Sequence, residues 1–272
     1  MSAPPVTERV LARSRTVAGA AIVLAVPVAA GYILFGCGTG MSVVGMAAQT
    51  GPLGALIAEA PDKADSENWT LAYLLTVFVM WWLMMIAMMV PSTAPAVLLY
   101  GSLHRERDVW GPLQFLVGYL VVWAAFSFLA TSLQGGLAAS GLISPMYMTL
   151  AAPYLGALVL VGAGLYQLTP TKMACLHACR SPARILVRHR RSGRAAAFRM
   201  GLSHGSSCVG CCWALMALLF VGGVMNIWWI LGLTLYVAAE KLAPGGERMA
   251  RPLGGVLVLA GLGLAAKASG LV

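Results

Sequence analysis

The chain has 272 residues, of which 60% are hydrophobic and only 10% are charged, and its mean hydropathy is +0.82. A water-soluble domain of this size cannot bury so much apolar surface, so the composition excludes a soluble globular protein and predicts an integral membrane protein. The net charge of +9 comes from basic residues between apolar runs, a pattern that reports membrane topology and contact with anionic lipid and argues against nucleic acid binding.

The apolar runs predict an all-α fold, a polytopic transmembrane helix bundle of about seven spans that forms a single membrane domain over residues 1–272. A helix of about 20 apolar residues crosses the hydrocarbon core. If the hairpin at residues 204–239 is re-entrant, the count falls to six. A basic tail at residues 1–16 and an acidic loop at residues 36–71 flank the first span. The predicted spans are residues 17–35, 72–100, 113–133 and 148–168, two within 204–239, and 253–272.

The second predicted span contains a run of methionines that ends at Pro91, a residue that should kink the helix. Met84 and Met88 are four positions apart and therefore lie on one face of the helix. Thioethers bind copper(I), but flexible methionine side chains also fill gaps between helices. Met84 and Met88 are therefore candidate metal ligands, with plain packing as the alternative.

The segment at residues 169–203 contains Lys172 and seven arginines but no acidic residue, which predicts a basic cytoplasmic loop on the inner leaflet. With the N-terminus in the cytoplasm, 16 of the 18 lysines and arginines fall on the cytoplasmic side. Thiols on that side stay reduced, so no disulfide is expected there. Cys37, at the other end of the first span, is interpreted as a small buried residue.

Two clusters of sulfur ligands lie at the ends of predicted spans. On a helix, an i, i+4 spacing puts the ligands of each cluster on one face, and two packed segments can share one metal. Thiolate and imidazole suit copper(I) or zinc better than calcium or magnesium, and an iron-sulfur cluster is a further alternative. His177 would point away from Cys175. The alternative for the cysteines is that they are small packing residues in tight helix contacts. The predicted ligands in the two clusters are Cys175, Cys179, His204, Cys208, Cys211 and Cys212.

Three motifs occur together in this chain: WLMMIAMMVP at residues 82–91, YQLTPTKMACLHACRSP at residues 166–182 and GSSCVGCCWALM at residues 205–216. With Gly223 to Asn226 and the Glu240–Lys241 pair, they resemble a bacterial family described as predicted metal-binding integral membrane proteins, a domain of unknown function. The resemblance covers roughly residues 72–242. It implies metal binding and a multi-pass protein of the bacterial inner membrane, but it identifies neither the metal nor a reaction.

The leading hypothesis is therefore a membrane protein that binds copper(I) at the cytoplasmic face, for metal handling or for assembly of a copper enzyme. Zinc and iron are the alternative metals, and a metallochaperone or a membrane enzyme complex is the expected partner besides the lipid bilayer. No catalytic residue is predicted. A second hypothesis is a membrane thiol oxidoreductase in which Cys208 and Cys211, at a helix N-terminus, form and break a disulfide. A third is a structural subunit of a larger membrane complex.

Asn226 follows the glycine pair in the predicted hairpin and should cap the next helix. Glu240 and Lys241 are expected to form an ion pair with each other at the membrane interface.

Overall fold

The computed structural model describes residues 70–103, 110–144, 148–181 and 194–270, together with positions 27 and 31. The predicted tail, Cys37, most of the first span and nearly all of the acidic loop lie outside the described residues, as do His104, His189 and residues 182–193. The following account concerns the described part of the chain.

The described residues are almost entirely helical, which confirms the all-α class. The exception is an antiparallel pair of two-residue strands, β1 and β2, in which Ile143 pairs with Leu150. The helices and strands, in chain order, are α1 (Leu71–Leu103), α2 (Gly111–Ala139), β1 (Ile143–Ser144), β2 (Thr149–Leu150), α3 (Pro153–Gln167), α4 (Pro170–Arg180), α5 (Arg194–Ala217), α6 (Leu219–Gly222), α7 (Ile227–Leu242), a 3-10 turn (Gly246–Met249) and α8 (Ala250–Ala268).

Four helical stretches in the described residues are long and apolar enough to cross a membrane: Leu71–Gly101, Gly111–Ala139, Ala195–Gly222 and Gly246–Ala268. By contrast, α3 has 15 residues and α7 has 16, fewer than the roughly 20 that a full crossing needs. The structure therefore supports four spans, and the count of about seven stays a prediction.

Helix α5 begins at Arg194, ten positions before His204, the residue at which the sequence predicts the start of the apolar segment. The residues that follow Arg194 include three consecutive alanines, which favour the helical state despite the charges around them. The cysteines of α5 consequently lie inside a long helix. Cys208 is not at a helix N-terminus, and that part of the oxidoreductase hypothesis is wrong.

The sequence defines both ends of α4. The side chain of Thr169 accepts a hydrogen bond from the backbone N–H of Lys172 at 3.2 Å, and Pro170 occupies the first turn, where its missing N–H has no cost. The helix ends at Arg180, because Ser181 precedes a proline and is therefore disfavoured in the helical conformation. Cys175 and Cys179 lie within this short, well-capped helix.

Helices α2 and α5 pack closely because glycines lie at their crossing. A methyl group on Gly118 would overlap the carbonyl of Phe198, and one on Gly201 would overlap the carbonyl of Phe115. Such small residues let two helix backbones approach each other in an apolar environment. The close crossing brings the cysteines of α5 next to the polar side chains of α2.

A turn separates α6 from α7 at the glycine pair, while the predicted pair of spans in this region is not confirmed. Gly223 adopts a φ of +96°, a backbone conformation that side chains other than glycine rarely tolerate. The side chain of Asn226 accepts a hydrogen bond from the N–H of Trp228 at 3.0 Å, so the predicted cap is confirmed.

Candidate metal centre

The two cysteine segments lie side by side, because α4 packs against α5. The Sγ atoms of Cys179 and Cys211 are 4.0 Å apart. Cys175 lies against Gly210, where a methyl group would come within 2.8 Å of its sulfur. The expected packing of the two segments is confirmed, and Cys175, Cys179, Cys208, Cys211 and Cys212 are all free thiols.

The cysteines of α5 are buried, and two of them are held by the helix backbone. The thiols of Cys211 and Cys212 both donate to the carbonyl oxygen of Cys208, at 3.1 and 2.9 Å. These weak S–H bonds are easily exchanged for a metal bond. The sulfur of Cys208 itself faces other helices.

A buried lysine, which the sequence analysis did not select, contacts the sulfur of Cys208. The Nζ of Lys241, at the end of α7, lies 2.8 Å from this sulfur and 3.9 Å from the Sδ of Met89. The hydroxyl of Tyr119, on α2, is 3.1 Å from the same Cys208 sulfur and 3.3 Å from the carbonyl oxygen of Met89. The Cys208 sulfur therefore contacts an ammonium and a phenol, and the same ammonium also contacts a thioether.

The predicted methionine ligands, Met84 and Met88, precede Met89 in α1. Met84 and Met88 are both fully buried in the core. Met84 is five positions before Met89, which is about 7.5 Å along the helix axis at 1.5 Å per residue. The methionine whose sulfur reaches the Lys241 ammonium is thus Met89. The signal that could have identified Met89 is its position at the end of the methionine run, closest to the cysteines.

The two histidines near the cysteines differ in their surroundings. His204 is 4% exposed and packs between the rings of Phe115 and Tyr119, at centroid distances of 5.7 and 5.9 Å. Its Nδ1 has no hydrogen-bond partner among the described residues. His177 is largely exposed and lies 3.4 Å from the carboxylate of Glu247, so it points away from the sulfurs, as expected.

The expected ion pair between Glu240 and Lys241 is wrong. Neighbouring residues on a helix point in different directions, about 100° apart. Glu240 instead pairs with Lys172 of α4, with both side chains fully buried, and it also accepts a hydrogen bond from Tyr236 at 3.3 Å. This pair links α4 to α7 and leaves Lys241 to face Cys208.

A cavity of about 230 Å³ opens beside these groups. Cys179, Cys208, His204 and Lys241 all contribute to its wall. The other lining residues come from α1, α2, α4 and α7: Ser92, Thr93, Pro95, Ala96, Tyr119, Arg180 and Leu242. Access to the buried sulfurs is therefore available from one side of the cluster.

The thiols of α4 hold their protons more tightly than an isolated cysteine does. Burial, followed by the nearby Cys211, raises the pKa of Cys175. Hydrogen bonding with Cys208 and Cys211, together with burial, raises the pKa of Cys179 well above its usual value. Both groups are consequently protonated at neutral pH, and a metal that binds them must displace a proton.

The donor set is soft. Thiols and a thioether are ligands that soft metal ions such as copper(I) prefer and that zinc and iron-sulfur clusters also use, whereas the carboxylate in this region is engaged with a lysine. Within the described residues, no three side chains of histidine, cysteine, aspartate or glutamate form a ready metal-binding group. The residues present fit the chemistry of copper(I), and side-chain rotation would be needed to complete a coordination sphere.

Comparison with known proteins gives one family match. The model of a family described as "PpoB2: Copper chaperone" matches residues 78–264, which is more than half of the chain. The match spans α1 to α8 and includes both cysteine segments. No curated protein matches this chain, and no solved structure does either.

Proposed function

Since this chain belongs to the PpoB2 copper chaperone family, we propose that it handles copper by binding copper(I) among the sulfurs of Cys179, Cys208 and Cys211. The observation that carries this proposal is the meeting of the two cysteine segments, distant in the sequence, within 4.0 Å. Rotation of their side chains would add Cys175, Cys212 and His204, which are near these cysteines in the sequence, as ligands. Met84 and Met88 stay predicted ligands from the sequence pattern. Met89 adds a thioether at the site.

Charge supports a site for a monovalent cation held by thiolates. When two of the sulfurs of Cys179, Cys208 and Cys211 bind copper(I) as thiolates and the third stays a neutral thiol, the centre carries a net charge of −1, which is costly to bury without a counter-charge. The ammonium of Lys241 lies 2.8 Å from the sulfur of Cys208 and supplies that counter-charge. A divalent ion of the same ligand number would be neutral and would gain less from the lysine. The arrangement therefore favours copper(I) over zinc.

The proposal places the protein in a bacterial inner membrane, with the N-terminus and the copper site toward the cytoplasm. The four apolar helices and the distribution of lysines and arginines in the sequence support this placement. A metallochaperone that supplies copper, or a copper enzyme that receives it, is the kind of partner such a protein serves. The role requires binding and release of copper and no catalytic step.

Metal analysis tests the proposal. The full chain, purified anaerobically in detergent, should bind about one copper(I) per chain. Protons should be released, because the metal displaces them from the thiols. A Cys179→Ser/Cys208→Ser variant should lose this copper, whereas Cys37→Ser, a matched thiol deletion just past the first predicted span, should keep it. Wild-type protein that holds no copper after reconstitution would refute the proposal. A reversible Cys208–Cys211 disulfide with a defined potential, in place of metal, would support the oxidoreductase alternative.

A further inference from the structure

The cavity beside the sulfurs is large enough for a small ligand. Its volume of about 230 Å³ compares with a share of roughly 30 Å³ for one water molecule in the liquid. The thiols of Cys179 and Cys208 both lie on its wall. A molecule in the cavity would therefore contact both sulfurs directly.

Two buried polar groups on this wall have no hydrogen-bond partner in the described part of the chain. They are the hydroxyl of Thr93, on a residue that is 1% exposed, and the Nδ1 of His204, on one that is 4% exposed. Buried polar atoms in folded proteins are nearly always satisfied. These two groups indicate that the cavity receives a polar ligand.

The charged groups on the wall are positive. Lys241 contributes an ammonium next to Cys208. Arg180 donates to the backbone carbonyls of Glu240 and Ala243, so its charge is not paired with a carboxylate among the described residues. No described residue that lines the cavity carries a carboxylate. In the sequence, the segment from Lys172 to Arg199 holds eight basic residues and no acidic one.

We propose that this cavity receives copper as an anionic copper(I) complex of a small thiolate. The inference rests on the proposed copper-handling function and specifies how the metal arrives. Positive charges with hydrogen-bond donors attract an anionic carrier, and they disfavour a cationic one. The sulfurs of Cys179 and Cys208, on the same wall, are positioned to take over the metal.

The transfer is a ligand exchange without oxidation or reduction. Each bond from copper to a carrier sulfur breaks as a bond to a protein sulfur forms, and copper stays copper(I). Each protein thiol passes its proton to the sulfur of a departing carrier, so two carrier molecules leave with protonated thiol groups. The net charge of −1 on the bis-thiolate copper centre is the same before and after, and Lys241 remains beside it.

Two carriers of similar size and opposite charge test the charge preference. The copper(I) complex of 3-mercaptopropionate is anionic, whereas that of cysteamine is cationic. Transfer from each complex to the full-length protein in detergent is followed by stopped flow at equal excess carrier thiol. The anionic complex should transfer copper at least about tenfold faster at low salt, and the advantage should shrink as ionic strength rises. Equal rates, or faster delivery by cysteamine, would overturn the proposal.

A cavity-filling variant tests the location. Ala96 lies on the cavity wall and is not a sulfur ligand, so Ala96→Leu should narrow the cavity and slow transfer from the mercaptopropionate complex about tenfold. Ala72→Leu, on an exposed position of the same helix, is the matched control and should transfer at the wild-type rate. Thr93→Val, which removes only the unpaired hydroxyl, should also slow transfer, and it covers the case in which Ala96→Leu does not fold.

The two proposals fail differently. If wild-type protein binds no copper at equilibrium, the proposed function is wrong. If the protein binds copper while Ala96→Leu and Thr93→Val both accept it from the anionic carrier at the wild-type rate, copper arrives by another path and only the cavity proposal is overturned.

Discussion

Lys241 is a buried lysine whose partners are sulfur atoms. Its ammonium lies 2.8 Å from the Cys208 sulfur and 3.9 Å from the Met89 sulfur. The positive charge of the lysine therefore lies among sulfur atoms. A buried charge needs a compensating partner, since its desolvation is otherwise expensive. A copper(I) centre held by the thiolate of Cys208 would supply that partner in the loaded protein.

Replacing Lys241 by methionine should therefore weaken copper(I) binding while keeping the packing volume. We expect the Kd for copper(I), measured by competition with a chromophoric chelator, to rise about tenfold, or roughly 1.4 kcal/mol, because the counter-charge is lost. Lys267→Met removes a charge from an exposed position near the end of α8 and should leave the Kd unchanged. An unaltered Kd in Lys241→Met would show that the lysine does not compensate the metal centre.

A second residue whose role in copper binding can be tested is His204. Because its Nδ1 is unpaired and faces the cavity region, His204→Phe should preserve the aromatic packing against Phe115 and Tyr119. If His204 is a copper ligand, this variant should lose affinity and alter the X-ray absorption signature of nitrogen coordination. A variant with unchanged affinity and spectrum would remove His204 from the ligand set.

At the scale of elements, the buried pair of Lys172 and Glu240 connects the cysteine helix α4 to α7. With Glu240 directed at Lys172, the next residue along the helix, Lys241, faces a different neighbour and contacts Cys208. Arg180 strengthens the same connection by donating to the carbonyls at the end of α7. The proposed ligand Cys179 and the lysine beside Cys208 are thus on two helices, α4 and α7, that this ion pair joins.

Removing one partner of this pair should destabilise the protein strongly. Glu240→Leu leaves Lys172 buried and unpaired, so the free energy of unfolding should fall by about 3 to 5 kcal/mol. The double variant Lys172→Met/Glu240→Leu should recover most of the loss. The exposed contact of His177 with Glu247 provides the control, since His177→Ala should cost less than about 1 kcal/mol. Equal effects of the buried and exposed changes in denaturant titrations would contradict this account.

The crossing of α2 and α5 gives a second prediction for the helix packing. Gly201→Ala forces a methyl group against the carbonyl of Phe115 and should lower the free energy of unfolding by about 1 to 3 kcal/mol. Gly162→Ala, in α3, meets open space and should be neutral or stabilising by up to about 1 kcal/mol. Thermal unfolding of both variants in the same detergent measures the difference, and equal melting temperatures would disprove the close crossing.

At the scale of the whole molecule, the orientation in the membrane can be tested on two loops. In a cysteine-free background, Ser192→Cys should react with a membrane-impermeant maleimide only after the cells are permeabilised, because the basic segment is predicted to be cytoplasmic. Ser66→Cys, in the acidic loop, should react in intact cells. The reverse labelling pattern would invert the proposed topology and put the copper site on the outer face.

The sequence by itself determined the helical class, the apolar character and the two groups of sulfur ligands, because these depend on composition and on local spacing along a helix. It also located the Asn226 cap, which depends on a few neighbouring residues. It predicted a helix over residues 148–168, where α3 covers only Pro153–Gln167, and it started α5 too late, since hydropathy marks apolar runs and not the residues at which hydrogen bonding begins.

Only the tertiary structure decided which partners the charged side chains choose. Glu240 and Lys241 are adjacent in the chain, yet one faces Lys172 and the other faces Cys208, because consecutive helical side chains diverge and meet different neighbouring helices. The choice of Met89 over the other methionines at this point, and the cavity beside the sulfurs, likewise depend on how five helices pack. Contacts between residues far apart in the chain depend on that packing. The spacing of residues within one helix does not predict them.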